Sequence, residues 1–153
     1  MGKRLCFAAS SGGHLEELSR LAGLKDGREC FLITERGDYN VDTFCENVYL
    51  VDQINRRQKG FLPAFIRLFF ICVKILRAER AGYVITTGAL MGFTAALAGK
   101  LLGAKIVYVE SFARVDSASL TGRLIHPFAD LFIVQWEEGL KYFPKAVYSG
   151  GIF

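Results

Sequence analysis

The sequence has few of the residues that hold metals or disulfides. Its two histidines, His14 and His126, show no ligand spacing with the four cysteines, and no two cysteines form a CxxC pair. Structural zinc sites need such residues at short, regular spacings, so we expect no metal. We expect the cysteines to be buried, reduced thiols of a cytoplasmic protein.

Long uninterrupted apolar stretches are also missing. Lys3 and Arg4 lead into a short apolar run without the longer apolar region of a secretory signal, so no signal peptide is expected. Charged residues interrupt the most apolar segment, 61–80. It therefore falls short of the ~20 apolar residues that a bilayer span requires, and it is not predicted to be transmembrane.

The common nucleotide-binding signatures are absent as well. A glycine-rich turn occurs at 10–14, but it is not GxGxxG and no P-loop lysine follows it. A dinucleotide cofactor or ATP is therefore not favoured, and we predict no cofactor.

Basic residues are concentrated in one segment. The chain carries a formal net charge of +4, and the segment Arg56–Arg80 alone holds seven basic residues against one acidic residue, Glu79. A nucleic-acid-binding protein would spread its basic residues over a larger face, so no nucleic-acid partner is expected. Here the most basic element is also the most apolar one.

Apolar strand-like runs alternate with helical patterns along the whole chain. Near-continuous apolar strands of this kind are typical of a parallel sheet covered on both faces. The prediction is an α/β, Rossmann-like fold in a single domain, residues 1–153, with no linker or repeat. The predicted strands are 3–9, 30–34, 48–51, 83–87, 105–110 and 131–135, and the predicted helices are 14–24, 61–80, 91–102 and 120–128.

Two strand-to-helix turns could carry chemistry. His14 follows two glycines at the predicted start of a helix, where ligands of α/β proteins bind, although a lone histidine is more often structural. Glu110 is the first charge after an apolar strand. It is interpreted equally well as a surface carboxylate paired with Arg114 or as a group that binds sugar hydroxyls or shifts a neighbour's pKa.

The predicted helix over 61–80 has an apolar arc wider than one sheet face needs. One interpretation is a buried crossover helix with a basic stripe whose charged ends reach solvent. The other, which we favour as a partial role, is a helix whose first end touches anionic lipid. The candidate membrane-binding residues are Arg56, Arg57, Lys59, Phe61, Leu62 and Phe65.

Several short motifs, in this order, resemble those of one group of glycosyltransferase subunits. The motifs are ASSGGHL at 9–15, TGA at 87–89, KIVYVESFAR at 105–114, SLTGR at 119–123, PFAD at 127–130, QWE at 135–137 and YSGGIF at 148–153. The chain thereby resembles accessory subunits of bacterial capsular and exopolysaccharide biosynthesis. It is also similar to the acceptor-side, membrane-anchoring subunit of the eukaryotic dolichol-linked N-acetylglucosaminyltransferase. More distantly, it resembles the amino-terminal domain of the peptidoglycan N-acetylglucosaminyltransferase MurG.

The resemblance implies the amino-terminal, acceptor-side half of a GT-B enzyme. A separate chain would supply the donor-binding half and its UDP-sugar, and the acceptor would be a polyprenyl-diphosphate-linked saccharide. Association would be peripheral, on an anionic membrane surface at the cytoplasmic face of the plasma membrane. His14 and Glu110 are then the catalytic candidates, and the acceptor-binding candidates are Ser11, Gly12, Gly13, Thr87, Gly88, Ser111 and Arg114.

Three functions remain open from the sequence. The first is a subunit that takes part in sugar transfer during surface polysaccharide biosynthesis. The second is a membrane tether that only recruits and stabilises the catalytic chain, and the third is a free-standing Rossmann-type nucleotide-binding enzyme. A pure tether should tolerate the loss of His14 and Glu110, which separates the first two.

Overall fold

The computed structural model describes residues 3–37 and 44–153. A seven-stranded parallel sheet forms its centre, with strand order β3-β2-β1-β4-β5-β6-β7. The strands are β1 (Arg4–Ala9), β2 (Cys30–Glu35), β3 (Asn47–Val51), β4 (Ala81–Gly88), β5 (Lys105–Val109), β6 (Leu131–Val134) and β7 (Val147–Tyr148). The helices are α1 (Gly13–Arg20), α2 (Phe61–Ala78), α3 (Ala89–Leu101) and α4 (Leu120–Ile125), and short 3₁₀ turns cover Ala22–Lys25 and Glu137–Lys141.

Alternation along β1 divides the core into two halves. Leu5, Phe7 and Ala9 pack on one face of the sheet with Leu18 of α1. Cys6 and Ala8 point to the other face, where α2 and α3 pack. Because successive strand residues point to opposite faces, a strand buried on both sides has to be apolar throughout, as β1 is.

The predicted fold class is confirmed, with small changes at the element ends. The predicted helix from His14 to Leu24 ends as an α-helix at Arg20, and the one predicted to reach Phe128 ends at Ile125. The seventh strand was not predicted. It has only two residues, Val147 and Tyr148, both exposed, so it lacks the apolar run that signals a strand.

The strand order fixes where a ligand can bind. The chain leaves β1 toward β2 on one side, and β4 lies on the other side of β1. The sheet therefore has a switch point between β1 and β4, and open parallel sheets bind ligands beyond the carboxyl ends of such a strand pair. The predicted turn at Gly12–His14 lies just beyond β1, and Thr87 and Gly88 are the last residues of β4, directly before α3.

All four cysteines are buried and free, as expected. Burial raises the pKa of Cys72 to about 12 and raises that of Cys6 well above its usual value. No helix within residues 3–37 and 44–153 combines the length and apolarity needed to cross a bilayer.

Candidate functional site

The turns after β1 and β4 are bonded to each other across the switch point. Nδ1 of His14 lies 3.0 Å from the carbonyl oxygen of Thr87, and the hydroxyl of Thr87 donates to the carbonyl oxygen of His14 at 2.6 Å. A carbonyl oxygen can only accept, so Nδ1 carries the hydrogen. In the neutral imidazole this leaves Nε2 with a free lone pair, which is the protonation state of a general base.

Glycine is required at both turns for geometric reasons. Gly12 has a φ of 86° and Gly88 a φ of 107°, in the left-handed region that disfavours other residues. A Cβ atom on Gly88 would also stand 3.0 Å from the hydroxyl of Tyr108. These glycines fix the backbone conformation of the two turns. His14 and Ala89 are the residues of these turns that line the neighbouring cavity, and His14 is the one with a polar side chain.

That cavity has a volume of about 680 Å³ and lies between α2, α3, α4 and the loop after β5. Its walls are mostly apolar, with three basic or potentially basic side chains: His14, Arg56 and Arg114. None of its described lining residues is acidic. The other lining residues are Phe61, Leu62, Phe65, Ala89, Leu90, Phe93, Tyr108, Ser111, Ala113, Ser119, Leu120, Thr121 and Leu124.

The two arginines of the cavity have no ionic partner among residues 3–37 and 44–153. Arg114 has only a long hydrogen bond of 3.4 Å to the hydroxyl of Ser117. Unpaired guanidinium groups beside an apolar wall suit an anionic group attached to a hydrocarbon chain.

The sequence predicted one set of catalytic and acceptor-binding residues and a separate set of membrane-binding residues, and members of both sets line this cavity. Of the predicted acceptor and catalytic residues, His14, Ser111 and Arg114 line the cavity. From the predicted membrane-binding set, it is lined by Arg56, Phe61, Leu62 and Phe65. The predicted residues that do not line it are Ser11, Gly12, Gly13, Arg57, Lys59, Thr87, Gly88 and Glu110.

Glu110 lies behind the wall of the cavity and is buried. Oε1 accepts from the Tyr108 hydroxyl and the Ser111 backbone at 3.0 Å each, and Oε2 accepts from the Ser119 backbone at 3.1 Å and the Ser119 hydroxyl at 2.9 Å. Burial, followed by the Glu110 charge, raises the pKa of Tyr108 well above its usual value. The surface pair with Arg114, one of the two sequence interpretations, is not what the structure has. The catalytic role of Glu110 stays a prediction, and its contacts favour positioning of three residues that line the cavity.

Two further buried carboxylates flank the turn at His14, and sequence reasoning missed both. Glu17 accepts from the Ser111 hydroxyl at 3.0 Å and from the Phe112 backbone at 3.1 Å, while its other oxygen has no described partner. Burial raises the pKa of Glu17 and of Glu35, although hydrogen bonds oppose the rise: for Glu35 these come from Ser10 and the Ser11 backbone. Only Glu17 had a usable signal, because it stands three residues after His14 beside Leu18, which packs on the sheet.

Leu120 and Leu124 form a second apolar wall of the cavity, which sequence analysis did not predict. They lie four residues apart on α4, line the cavity opposite α2, and are 52% and 47% exposed. On α2, Leu62 and Ile66 are 66% and 47% exposed at the same spacing. The cavity therefore opens between two helices whose exposed faces are apolar.

Comparisons with known proteins identify the family of this chain. Residues 64–152 match the family described as "Oligosaccharide biosynthesis protein Alg14 like". The UDP-N-acetylglucosamine transferase subunit ALG14 of Candida albicans is 48% identical in an alignment 169 positions long, and this alignment covers 96% of this chain and 77% of that protein. The corresponding subunit of Schizosaccharomyces pombe is 49% identical over 61 residues, 40% of this chain, and the match spans only 28% of its length.

Solved structures with the same fold are about twice as long as this chain. MurG of Acinetobacter baumannii has a TM-score of 0.68 and 17% identity, and the match covers 87% of this chain and 41% of that one. UDP-GlcNAc 2-epimerase of Neisseria meningitidis, bound to UDP-GlcNAc, has a TM-score of 0.74 and 11% identity, covering 99% and 47%. At these identities the likeness shows the fold alone, which is that of an amino-terminal GT-B domain.

Proposed function

Because this chain belongs to the Alg14-like family of oligosaccharide biosynthesis proteins, we propose that it is the acceptor-binding, membrane-associating subunit of a two-component UDP-sugar glycosyltransferase. The acceptor is a polyprenyl-diphosphate-linked saccharide, and the sugar is N-acetylglucosamine, after the printed names of the relatives. Those names call the relatives subunits, which supports a separate donor-binding chain that carries the UDP-sugar.

The observation that carries the proposal is the composition of the larger cavity. It joins apolar walls from α2, α3 and α4 to His14, Arg56 and Arg114, and none of its described lining residues is acidic. A prenyl chain needs apolar walls, and a diphosphate needs cations without competing carboxylates. A water-soluble nucleotide or sugar would gain nothing from the exposed leucines at the opening.

His14 is the proposed general base. With its Nδ1 hydrogen held by the Thr87 carbonyl oxygen, Nε2 is free to accept the proton of the acceptor hydroxyl as that oxygen attacks the sugar carbon of the donor. The bond from that carbon to the diphosphate of UDP breaks in the same step. General base catalysis of this kind contributes roughly 10²–10⁴-fold to a rate. Ser111 and Arg114, in the same cavity, are the proposed contacts for the acceptor saccharide.

Membrane association is proposed to be peripheral and to use the exposed face of α2. Leu62, Ile66 and Phe70 recur every four residues and are exposed, while Leu68, Cys72 and Leu76 on the opposite side are buried. Arg57 and Lys59, just before this helix, are exposed cations that can meet anionic headgroups. The proposed location is the cytoplasmic face of the plasma membrane.

The pathway is proposed at two levels. Lipid-linked oligosaccharide synthesis is supported by the family description and the names of the relatives. The expectation from sequence of capsule or exopolysaccharide synthesis has no support from these relatives, and it remains a hypothesis that depends on the motif resemblance alone.

Reconstitution tests the proposal. The purified chain alone should transfer no sugar from UDP-N-acetylglucosamine to a prenyl-diphosphate-linked N-acetylglucosamine acceptor, and transfer should appear when its donor-binding partner is added. Robust turnover by the homogeneous chain alone would contradict the two-component proposal. No transfer by the pair, with both chains folded and bound, would contradict the acceptor and donor assignment.

A second candidate is a tether that only recruits the catalytic chain, and the exposed apolar stripe of α2 favours it. The substitution His14→Ala separates the two when transfer rate, melting temperature and partner binding are measured together. A loss of roughly 10²-fold or more in rate, with the other two preserved, supports participation in the reaction. Near-normal transfer would favour the tether.

A further inference from the structure

A second, smaller cavity adjoins the larger one. It has a volume of about 320 Å³ and is lined by Gln53, Ile54, Asn55, Arg56, Gln58 and Leu90. Arg56 and Leu90 also line the larger cavity. The guanidinium group of Arg56 therefore belongs to both, on the side where α2 begins.

Two of the three side-chain amides of this small cavity, those of Asn55 and Gln58, have a fixed orientation. Oδ1 of Asn55 accepts from the Arg57 backbone and Oε1 of Gln58 accepts from the Asn55 backbone, both at 2.9 Å. A backbone N–H can only donate, so the oxygen of each amide is occupied by the loop itself. The NH₂ groups remain available, and together with Arg56 they make a set of hydrogen-bond donors. None of the described lining residues is acidic.

On the basis of the proposed function, we propose that this small cavity binds the diphosphate of the lipid acceptor. The prenyl chain would run out between Leu62 of α2 and Leu124 of α4, and the saccharide would extend toward His14. A diphosphate offers only acceptor oxygens and negative charge, which suits a pocket where two amide NH₂ groups and one unpaired arginine can donate, while the Gln53 side chain can turn either end of its amide toward the ligand. Arg56 thereby changes from a contact with the membrane surface to a contact with the substrate.

The alternative position for the diphosphate, the turn at Gly12–His14, is less suitable. Two of its polar groups are already bonded: Nδ1 of His14 to the Thr87 carbonyl oxygen, and the Ser11 backbone N–H to Glu35. Glu17 and Glu35 are buried beside this turn, and their negative charges would repel a diphosphate bound there. A diphosphate on the loop at 53–58 avoids both carboxylates and leaves His14 free to act on the saccharide.

The test measures binding of farnesyl diphosphate to the full chain in detergent by isothermal titration calorimetry, with farnesol as the uncharged probe. Gln58→Glu keeps the oxygen that accepts from Asn55 but replaces the donor NH₂ by a negative oxygen, and Arg56→Ala removes the guanidinium. Each should weaken farnesyl diphosphate binding about tenfold or more and leave farnesol binding unchanged. The matched control is Arg77→Ala, which removes an equal, exposed charge at the other end of α2, outside both cavities, and should stay within about twofold of wild type.

Several results would overturn the assignment. If Arg77→Ala weakens farnesyl diphosphate binding as much as Arg56→Ala, the effect comes from the net charge of the protein and not from the pocket. If Arg114→Ala abolishes binding while Arg56→Ala and Gln58→Glu do not, the diphosphate lies at Arg114, and the proposed function survives. If Gln58→Glu, but not Arg77→Ala, releases the protein from phosphatidylglycerol vesicles that retain the wild type, the pocket binds phospholipid headgroups instead. Wild-type protein that binds no farnesyl diphosphate, together with an inactive reconstituted pair, would remove the proposed function as well; with an active pair only the pocket assignment fails.

Discussion

Replacing Glu110 by glutamine should destabilise the fold before it affects any chemistry. Its carboxylate accepts four hydrogen bonds, two on each oxygen, from Tyr108, Ser111 and Ser119. A glutamine has one acceptor oxygen, so its NH₂ group must face one of the two donor pairs. The hydroxyl of that pair can rotate away, but the backbone N–H cannot, and it is left without a partner.

The size of the effect follows from this count. Each hydrogen bond to a charged group contributes ~1.5–3 kcal/mol, and the variant loses the two bonds on the side that its NH₂ group faces. Part of this loss is recovered because the hydroxyl of that pair can rotate to another acceptor. We expect the free energy of unfolding to fall by about 3 kcal/mol, which is less than the ~5–15 kcal/mol stability of a typical domain. The variant should therefore fold, with a lower denaturation midpoint.

Urea denaturation followed by far-UV circular dichroism measures this change, with Glu46→Gln as the control. Glu46 is exposed and should stay within about 0.5 kcal/mol of wild type. An unfolding free energy for Glu110→Gln within that same range, combined with a loss of transfer above about 100-fold in the reconstituted pair, would refute the positioning account. Glu110 would then be a catalytic residue, as the sequence suggested.

The remaining predictions concern other parts of the chain. Burial alone would raise the pKa of Asp130, but hydrogen bonds from the Ile106 backbone and two lysines outweigh it and lower this pKa from 3.8 to about 2. The ionised carboxylate therefore stabilises the fold above pH 3.8, and this contribution is lost as the pH falls toward 2. Asp130→Asn should then lower the free energy of unfolding by about 1 kcal/mol at pH 7, after allowance for solvent screening, and by almost nothing at pH 2. An equal decrease at both pH values would contradict the ion-pair account. Because burial raises the pKa of Cys72 to about 12, this thiol should resist labelling with a disulfide reagent at pH 8 until the protein is denatured. Labelling of Cys72 within seconds in the folded state would contradict its burial. Replacing Arg57 and Lys59 together by glutamate should release the protein from anionic vesicles in a flotation assay without changing its melting temperature, and unchanged flotation would contradict the use of this end of α2 on lipid.

The order of strands and helices could be predicted because most elements carry their signal locally. β1 is apolar throughout, and α2 repeats its apolar residues at helical spacing, so neither needs information from the rest of the chain. β7 depends on pairing with β6 alone, through Ile133 and Val134, and its own two residues are exposed. A strand of that kind is decided by its neighbour and cannot be predicted from its own residues.

The candidate site could be predicted in part for the same reason. His14 was found because a histidine after two glycines at the end of an apolar strand is a local pattern. Glu17 has a weaker local signal, its place beside the sheet-packed Leu18 just after the first turn of α1, and its burial depends on Ser111 and Phe112, which lie more than 90 positions away. The predicted membrane-binding and acceptor-binding residues line one cavity because α2, α3 and α4 pack together. That packing is tertiary structure, which local sequence patterns do not predict.

The most direct test of the acceptor-site account is photo-crosslinking with a prenyl diphosphate that carries a benzophenone near the end of its chain, followed by peptide mapping by mass spectrometry. The account predicts crosslinks to the two walls of the opening, on α2 around Phe61–Phe65 and on α4 around Leu120–Leu124, and their loss when unlabelled farnesyl diphosphate is in excess. Crosslinks that are confined to other surfaces, or that unlabelled ligand does not displace, would contradict the assignment of this cavity to the lipid acceptor.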